Sequence, residues 1–376
     1  MSVSKRLYGI GACAALALGV GLASADYTFK PALPSERPES MALLDIAYCE
    51  GRLIAAGERG LIAYSDDAGA SWSQASVPVS QLLTSVSCAP GGYAWAAGHA
   101  GVLLATTDRG VNWTLQFDGN EANRQWLAHQ RVVLDELEVQ LASAGDDEIR
   151  ELEYAIEDAG FNIEDAEAAL EAGPADPFLD VWFRDARFGY AVGAYGMLYR
   201  TENGGASWEI AVEHIENLDR YHYYAMVRDN EGRLFLSGEA GLLYRSTDEG
   251  RHWQRLDPGY DGSLFGLLTT ADGAVLAFGL RGNILRSEDA GETWRPVSVE
   301  DDPRQGLYGG TRLVDGTLVL VGAGGVVLHS VDNGRSFSSS ALEGAVTLSA
   351  VTGRGPDDLR IVGMEGVTVY GVDVDD

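Results

Sequence analysis

A short pattern recurs along this chain and limits what it can fold into. It reads Ser/Thr-x-Asp-x-Gly-x-x-Trp, and one full copy runs from Ser287 through Asp289 and Gly291 to Trp294. Asp67 with Trp72, Asp108 with Trp113, and Asp248 with Trp253 mark three more full copies. Asn203 with Trp208 and Asp332 with Phe337 mark two copies that carry one replacement each. A second signature, Gly-x-x-Gly between apolar runs, gives seven units, with first glycines Gly57, Gly98, Gly193, Gly238, Gly279, Gly322 and Gly363. The steps between them are 41, 95, 45, 41, 43 and 41 residues. A period near 40 residues marks a stacked or radial repeat, and the long step is one unit plus an insertion of roughly 50 residues.

Within a unit, short β-type runs alternate with Gly/Asp turns. Leu264–Thr270, Val275–Phe278, Ile284–Arg286 and the segment opened by Trp294 show the order in the fifth unit. Four such runs predict an antiparallel four-stranded sheet. Seven sheets predict an all-β, seven-bladed β-propeller, with an open β solenoid as the alternative. The seventh unit stops after its third strand and has no box, while Tyr27–Leu33 is a spare strand-like piece ahead of the first unit. Supplying the missing strand from the N-terminus would close the ring and remove exposed edges.

The chain starts with Lys5-Arg6, an apolar run from Leu7 to Leu22 and Ala23-Ser24-Ala25. This is the layout of a cleavable export signal over residues 1–25, with an exported, periplasmic or secreted product over residues 26–376. Too few apolar residues precede Cys13 for a lipoprotein signal, and nothing else is apolar enough to span a bilayer. The net charge is −29, which disfavours nucleic acid and anionic lipid as partners. Cys49 and Cys88 sit at near-equivalent places in the first two units. Export permits a bridge between them, but only geometry decides it. No His/Cys cluster has metal-ligand spacing, and no cofactor is expected.

The insertion, residues 121–173, follows the second box. Leu127, Leu134, Leu137 and Leu141 form one helical stripe, and Ile149, Leu152, Ile156 and Ala159 begin another after Gly145-Asp146-Asp147. An antiparallel helical hairpin is expected, and Gly160 and Asn162 leave a kink or third short helix open as an alternative. Residues 121–176 hold 16 acidic side chains against Arg124, Arg131 and Arg150.

The boxes read as turns, not as a site. Ser/Thr and Asp can bond nearby amides, Gly adopts a backbone other residues resist, and Trp packs between sheets. A catalytic Asp repeated along the chain with no partner acid or base makes no chemical sense. In a four-stranded meander the boxes share one face of the disc. The Gly-x-x-Gly turns, the links between sheets and the hairpin share the other. Candidates for partner binding there are Arg59, His99, Trp126, Tyr195, Arg220, Tyr221, Tyr223, Glu239, Arg281 and Glu365. Exposed aromatic and arginine side chains on loops suit protein or glycan recognition.

These repeats resemble the BNR/Asp-box propellers, and more closely the photosystem II stability/assembly factor-like family in its bacterial exported form. The resemblance covers nearly all of the chain after the signal, except the insertion. It implies a non-catalytic scaffold that binds a protein partner, a membrane complex or transporter, and is monomeric unless the insertion self-associates. The acidity and the insertion depart from the photosynthetic members, which use a basic surface. Sialidases and other glycosidases also carry such boxes. Tyr221 or Tyr223 with Glu239 could form a nucleophile pair, but no arginine triad surrounds them. An enzyme and a glycan-binding propeller are the alternative readings.

Overall fold

The computed structural model describes residues 29–301, 303–344 and 347–371. The expected signal segment lies outside them. Among the described residues, seven antiparallel sheets follow one another, each a meander with strands in sequence order. Sheet 1 is built from Leu43–Cys49, Arg52–Gly57, Ile62–Ser65 and Ser73–Gln74. Sheets 2 to 7 span residues 83–117, 178–210, 223–255, 264–296, 307–341 and 348–370. Sheets 1 to 5 have four strands, sheet 6 gains Ser298–Val299 as a parallel fifth, and sheet 7 has three among the described residues. This is an all-β, propeller-like fold of four-stranded sheets.

The core is divided into layers between neighbouring sheets, and a box aromatic fills most of them. Trp113 joins the layer between sheets 1 and 2, Trp208 that between 2 and 3, and Trp253 that between 3 and 4. Trp294 and Phe337 do the same for the next two. Sheet 7 has no box, and aliphatic residues such as Leu313, Val351 and Ile361 fill its layer with sheet 6. A further layer joins sheet 7 to sheet 1, with Ala350 and Val362 against Leu43, Leu53 and Trp72.

Among the described residues, 29–33 do not form the fourth strand of sheet 7, and that expectation is corrected. Tyr27 and Thr28 lie outside the described residues. From Phe29 onward the chain is irregular and runs along the outer edge of sheet 1. Ala32 N donates to Val77 O at 3.1 Å, and Gln74 Nε2 donates to Leu33 O at 3.0 Å. Pro31 and Pro34 interrupt the segment, and proline cannot donate to a ladder. Cys49 and Cys88 are joined in a disulfide with Cα atoms 5.9 Å apart, tying sheet 1 to sheet 2.

The insertion is two helices, α1 (Gly119–Ser143) and α2 (Ile149–Ala172). Asp118 caps α1 by accepting from the amides of Asn120 and Glu121 at 2.9 and 3.1 Å. Such a cap satisfies donors that a helix start leaves open. No kink or third helix appears: α2 runs unbroken through Gly160 and Asn162. The stripe Ile156, Ala159, Ile163 and Ala166 keeps a single inward face through that point. Packing along it outweighs the roughly 1 kcal/mol helix penalty of one glycine. Gly119 closes the base, where a side-chain carbon would lie 2.7 Å from Pro174 and 2.8 Å from Ala100 O. Among the described residues no helix is long and apolar enough to cross a membrane.

Candidate functional site: the groove between the hairpin and sheet 3

The hairpin leans over sheet 3 and is held by backbone pairing through one side chain. Gln125 Nε2 donates to Trp208 O at 2.9 Å, and Gln125 Oε1 accepts from Ile210 N at 3.1 Å. Gln125 thus does for the sheet edge what a further strand would do. Tyr199 Oη adds a bond to Ala122 O at 3.1 Å.

Beside this seam lies a cavity of about 330 Å³. Its apolar wall comes from Ala122, Ala166 and Ala169 of the helices, Leu198 and Ile210 of sheet 3, and Val212 just beyond that sheet. The rim holds Trp126, Tyr195 and Arg220, with Asn123, Asp165 and Asp176 as polar neighbours. Arg220 is the centre of the rim. Its guanidinium carbon stands 4.9 Å from the Trp126 ring centre and 5.9 Å from that of Tyr195. Its Nε is buried with no hydrogen-bond partner among the described residues. Burial raises the Asp176 carboxyl above its usual range, and Arg220 and His222 pull it part of the way back. An apolar pocket rimmed by aromatic rings and one arginine suits capture of a protein side chain.

From this rim an aromatic arc crosses to the cavity lined by the first strands. Tyr195 meets His222 at 4.9 Å between ring centres, His222 meets Tyr224 at 6.3 Å, Tyr224 meets Phe265 at 5.1 Å, and Phe265 meets Tyr308 at 5.7 Å. Tyr195 N also donates to His222 Nδ1 at 3.1 Å. Tyr224, Phe265 and Tyr308 lie at the starts of the first strands of sheets 4, 5 and 6, beside a central cavity of about 280 Å³.

All seven first strands line that central cavity, and each has a register shift near its start. The equivalent residues at the shift are Asp45, Ser85, Asp180, Ala225, Gly266, Gly309 and Ala350. The first three bond to the next sheet: Asp45 accepts from Val86 N at 2.7 Å, and Asp180 from Met226 N at 2.9 Å. Ser85 Oγ donates to Asp180 Oδ1 at 2.8 Å. Burial is the main reason that the Asp45 carboxyl is pushed up to about 6, and it raises Asp180 as well.

Of the residues singled out in the sequence, Trp126, Tyr195 and Arg220 come together at the cavity. Tyr221 packs partly into the layer between sheets 3 and 4. Glu239 Oε2 accepts from His222 N at 3.3 Å and so touches the arc. Tyr223 is corrected: it is fully buried. Its strand turns it into the core against Tyr244, and desolvation raises its hydroxyl well above the usual phenol range. A Tyr223–Glu239 nucleophile pair therefore does not form. Arg59, His99, Arg281 and Glu365 are exposed on other Gly-x-x-Gly turns and lie outside the cavity lining. Sequence reasoning missed Asp176, Asn123 and the alanine wall. The sequence signal for Asp176 was its place just beyond the Gly173-Pro174 helix stop. Among the described residues no group of His, Cys, Asp and Glu is placed to hold a metal ion.

The box positions are occupied by turns with one bonding scheme. In the first, Ser65 Oγ donates to Asp67 Oδ1 at 2.7 Å and accepts from Gly69 N at 2.8 Å, while Asp67 Oδ1 accepts from Ser71 N at 2.9 Å. Bonds from the hydroxyl and amide of Ser71 lead in lowering the Asp67 carboxyl to about 2, and those of Thr293 do the same for Asp289.

The meander of propeller-like sheets is a repeat fold, and the helix-covered groove is its candidate site. Residues 168–302 match the family described as photosynthesis system II assembly factor YCF48. A stretch of 129 residues is 36% identical to the photosystem II assembly lipoprotein Ycf48 of Synechococcus sp. (strain CC9902), covering 33% of this chain and 37% of that protein. The chain thus spans little more than a third of the length of that curated relative. A solved structure of YCF48 bound to D1 peptide superposes with a TM-score of 0.61 at 16% identity, over 92% of this chain and 100% of that one. YCF48 from Cyanidioschyzon merolae gives 0.59 at 16% identity, over 92% and 98%. At such identity the structures speak for the fold. The sequence matches bear out the resemblance read from the repeats, in that the matched stretch is similar to the photosystem II assembly factor family, and the superposed structures add the propeller-like fold.

Proposed function

We propose that the protein is a non-catalytic, exported scaffold that binds a protein partner and assists assembly or function of a membrane complex. The observation that carries this is the cavity between the hairpin and sheet 3, with Arg220 flanked by Trp126 and Tyr195. Its size suits a side chain or a short peptide segment better than a whole sugar chain, and the aromatic arc extends it toward the disc centre. The superposed YCF48, bound to D1 peptide, supports the same kind of ligand. We further propose a closed ring of seven blades, because sheets 7 and 1 share a core layer as every other neighbouring pair does. A transporter is a second identity for the membrane partner, resting on the family resemblance alone.

The test is capture of a membrane complex from a detergent extract of the organism's own membranes, using the full exported chain. Tyr195→Ala and Arg220→Ala should each abolish capture and leave the thermal unfolding midpoint in place. Undiminished capture by both variants would sink this assignment of the site. Turnover of aryl glycosides by the purified chain would sink the non-catalytic reading.

A further inference from the structure

The outward face of α2 carries a repeat of its own. Tyr154-Ala-Ile-Glu157-Asp158-Ala is followed, seven residues on, by Phe161-Asn-Ile-Glu164-Asp165-Ala. Seven residues are two helical turns, so equivalent positions lie above one another about 10.5 Å apart. In each half the isoleucine turns inward, and the alanine three residues on, Ala159 or Ala166, is buried. The aromatic ring points the other way. Tyr154 is 56% and Phe161 57% exposed, and neither joins a core layer. Arg150 lies over the Tyr154 ring at 5.7 Å. Each aromatic is flanked by the carboxylates three and four residues on, Glu157 and Asp158, then Glu164 and Asp165. None of the four has an ion pair among the described residues.

These two rings lie outside the inward stripe that joins the helices. That stripe and Gln125 hold the hairpin, and aromatic residues are poorer helix formers than alanine. A pair of exposed aromatics at helical register, edged by unpaired carboxylates, has the form of one side of a helix–helix contact. The charge sets the partner. A second copy of residues 121–176 would bring formal charge −13 against itself, and an anionic membrane would be repelled in the same way. Asp165 also lines the cavity rim, so the face continues into the groove.

We propose that the outward face of α2 docks a basic amphipathic helix of the partner protein, with apolar residues seven apart over Tyr154 and Phe161 and Lys or Arg against the four carboxylates. This rests on the protein-binding reading above and gives the partner its chemistry. The probe is a synthetic helical peptide with leucines at that spacing and flanking lysines, titrated onto the full exported chain. Two controls are the same peptide with glutamates for lysines and a scrambled peptide of equal charge. Phe161→Ala and the pair Glu157→Lys, Glu164→Lys should each weaken binding about tenfold or more. High salt should weaken it too. The proposal is overturned if the scrambled peptide binds equally well, if Phe161→Ala binds as the parent does, or if Phe161-dependent binding to zwitterionic lipid vesicles appears instead. Capture of the membrane complex separates the two ideas. If a Tyr154→Ala, Phe161→Ala chain captures it as the parent does, this surface falls and the groove stands. If the parent captures nothing yet binds the peptide, the scaffold reading falls and this surface stands.

Discussion

The two ends of the sheets use the same repeat in opposite ways. On the box face, every copy makes the same three bonds, from the Ser/Thr hydroxyl to the Asp or Asn, from the glycine amide to that hydroxyl, and from a later amide to the Asp or Asn. A neighbouring sheet adds a fourth contact. The residue before the box glycine has positive φ in all six copies: Ala68, Arg109, Gly204, Glu249, Ala290 and Asn333. In each, its carbonyl accepts a bond from the preceding sheet. Arg360 Nε donates to Ala68 O at 2.7 Å, Arg52 Nη1 to Arg109 O at 2.7 Å, and Trp95 Nε1 to Gly204 O at 3.0 Å. Tyr190 Oη donates to Glu249 O at 2.8 Å, Arg245 Nη1 to Ala290 O at 2.7 Å, and Arg286 Nε to Asn333 O at 3.0 Å. The tight turn therefore also serves as a latch between sheets. On the link face, the left-handed position of the Gly-x-x-Gly turn carries Arg59, Ala100, Tyr195, Ala240 or Arg281. The backbone is the same there and the side chains differ. A scaffold can vary one face because the other holds the sheets in place.

This contrast can be broken by substitution. Trp208→Ala, at a fully packed box, should cost about 3–5 kcal/mol in chemical unfolding. Next in size, Arg360→Met removes the latch from sheet 7 to sheet 1 and leaves the Ala68 carbonyl without its charged donor. A loss of about 1.5–3 kcal/mol is expected, with faster hydrogen exchange confined at first to sheets 7 and 1. Gln125→Ala should cost about 1–2 kcal/mol and raise exchange in α1 rather than in the sheets. On the opposite face, Tyr195→Ala should change stability by less than about 0.5 kcal/mol while removing partner capture. Equal stability losses on the two faces would erase the distinction.

The carboxylates sharpen it through pH. Asp67 and Asp289 fall from 3.8 to about 2 on folding. Their contribution is present above the unfolded value and is lost as pH falls through about 2. Asp45 moves the other way, from 3.8 to about 6. Its contribution is full below the unfolded value and is lost as pH rises through about 6. The unfolding midpoint should thus rise as pH drops from neutrality toward about 5, and Asp45→Asn should flatten that rise. Asp67→Asn should instead flatten the fall at strongly acid pH.

Much of the architecture was legible because repeats expose their own grammar. Six boxes and seven Gly-x-x-Gly turns indicated sheets of four short strands, and the long step located the helices to within two residues of Gly119 and Ala172. The site was less legible. Tyr221 and Tyr223 are separated by one residue and both looked like loop aromatics. The start of the first strand buries Tyr223 and leaves Tyr224 beside the central cavity, and the register of that strand is fixed only by its pairing with Leu234–Gly238. The N-terminal segment was misread because its apolar content suggested a strand, while Pro31 and Pro34 limit the pairing available to it.

Local sequence chemistry alone determined the turns. A hydroxyl, a carboxylate and a glycine at fixed offsets satisfy one another's hydrogen bonds within eight residues, whatever surrounds them. Only the tertiary structure decided which donor captures each box carbonyl. It also brought Trp126, Tyr195 and Arg220, from a helix, a turn and a link, to one rim. Those contacts join residues far apart in the chain, and packing between sheets, not the pattern within any one of them, sets their distances.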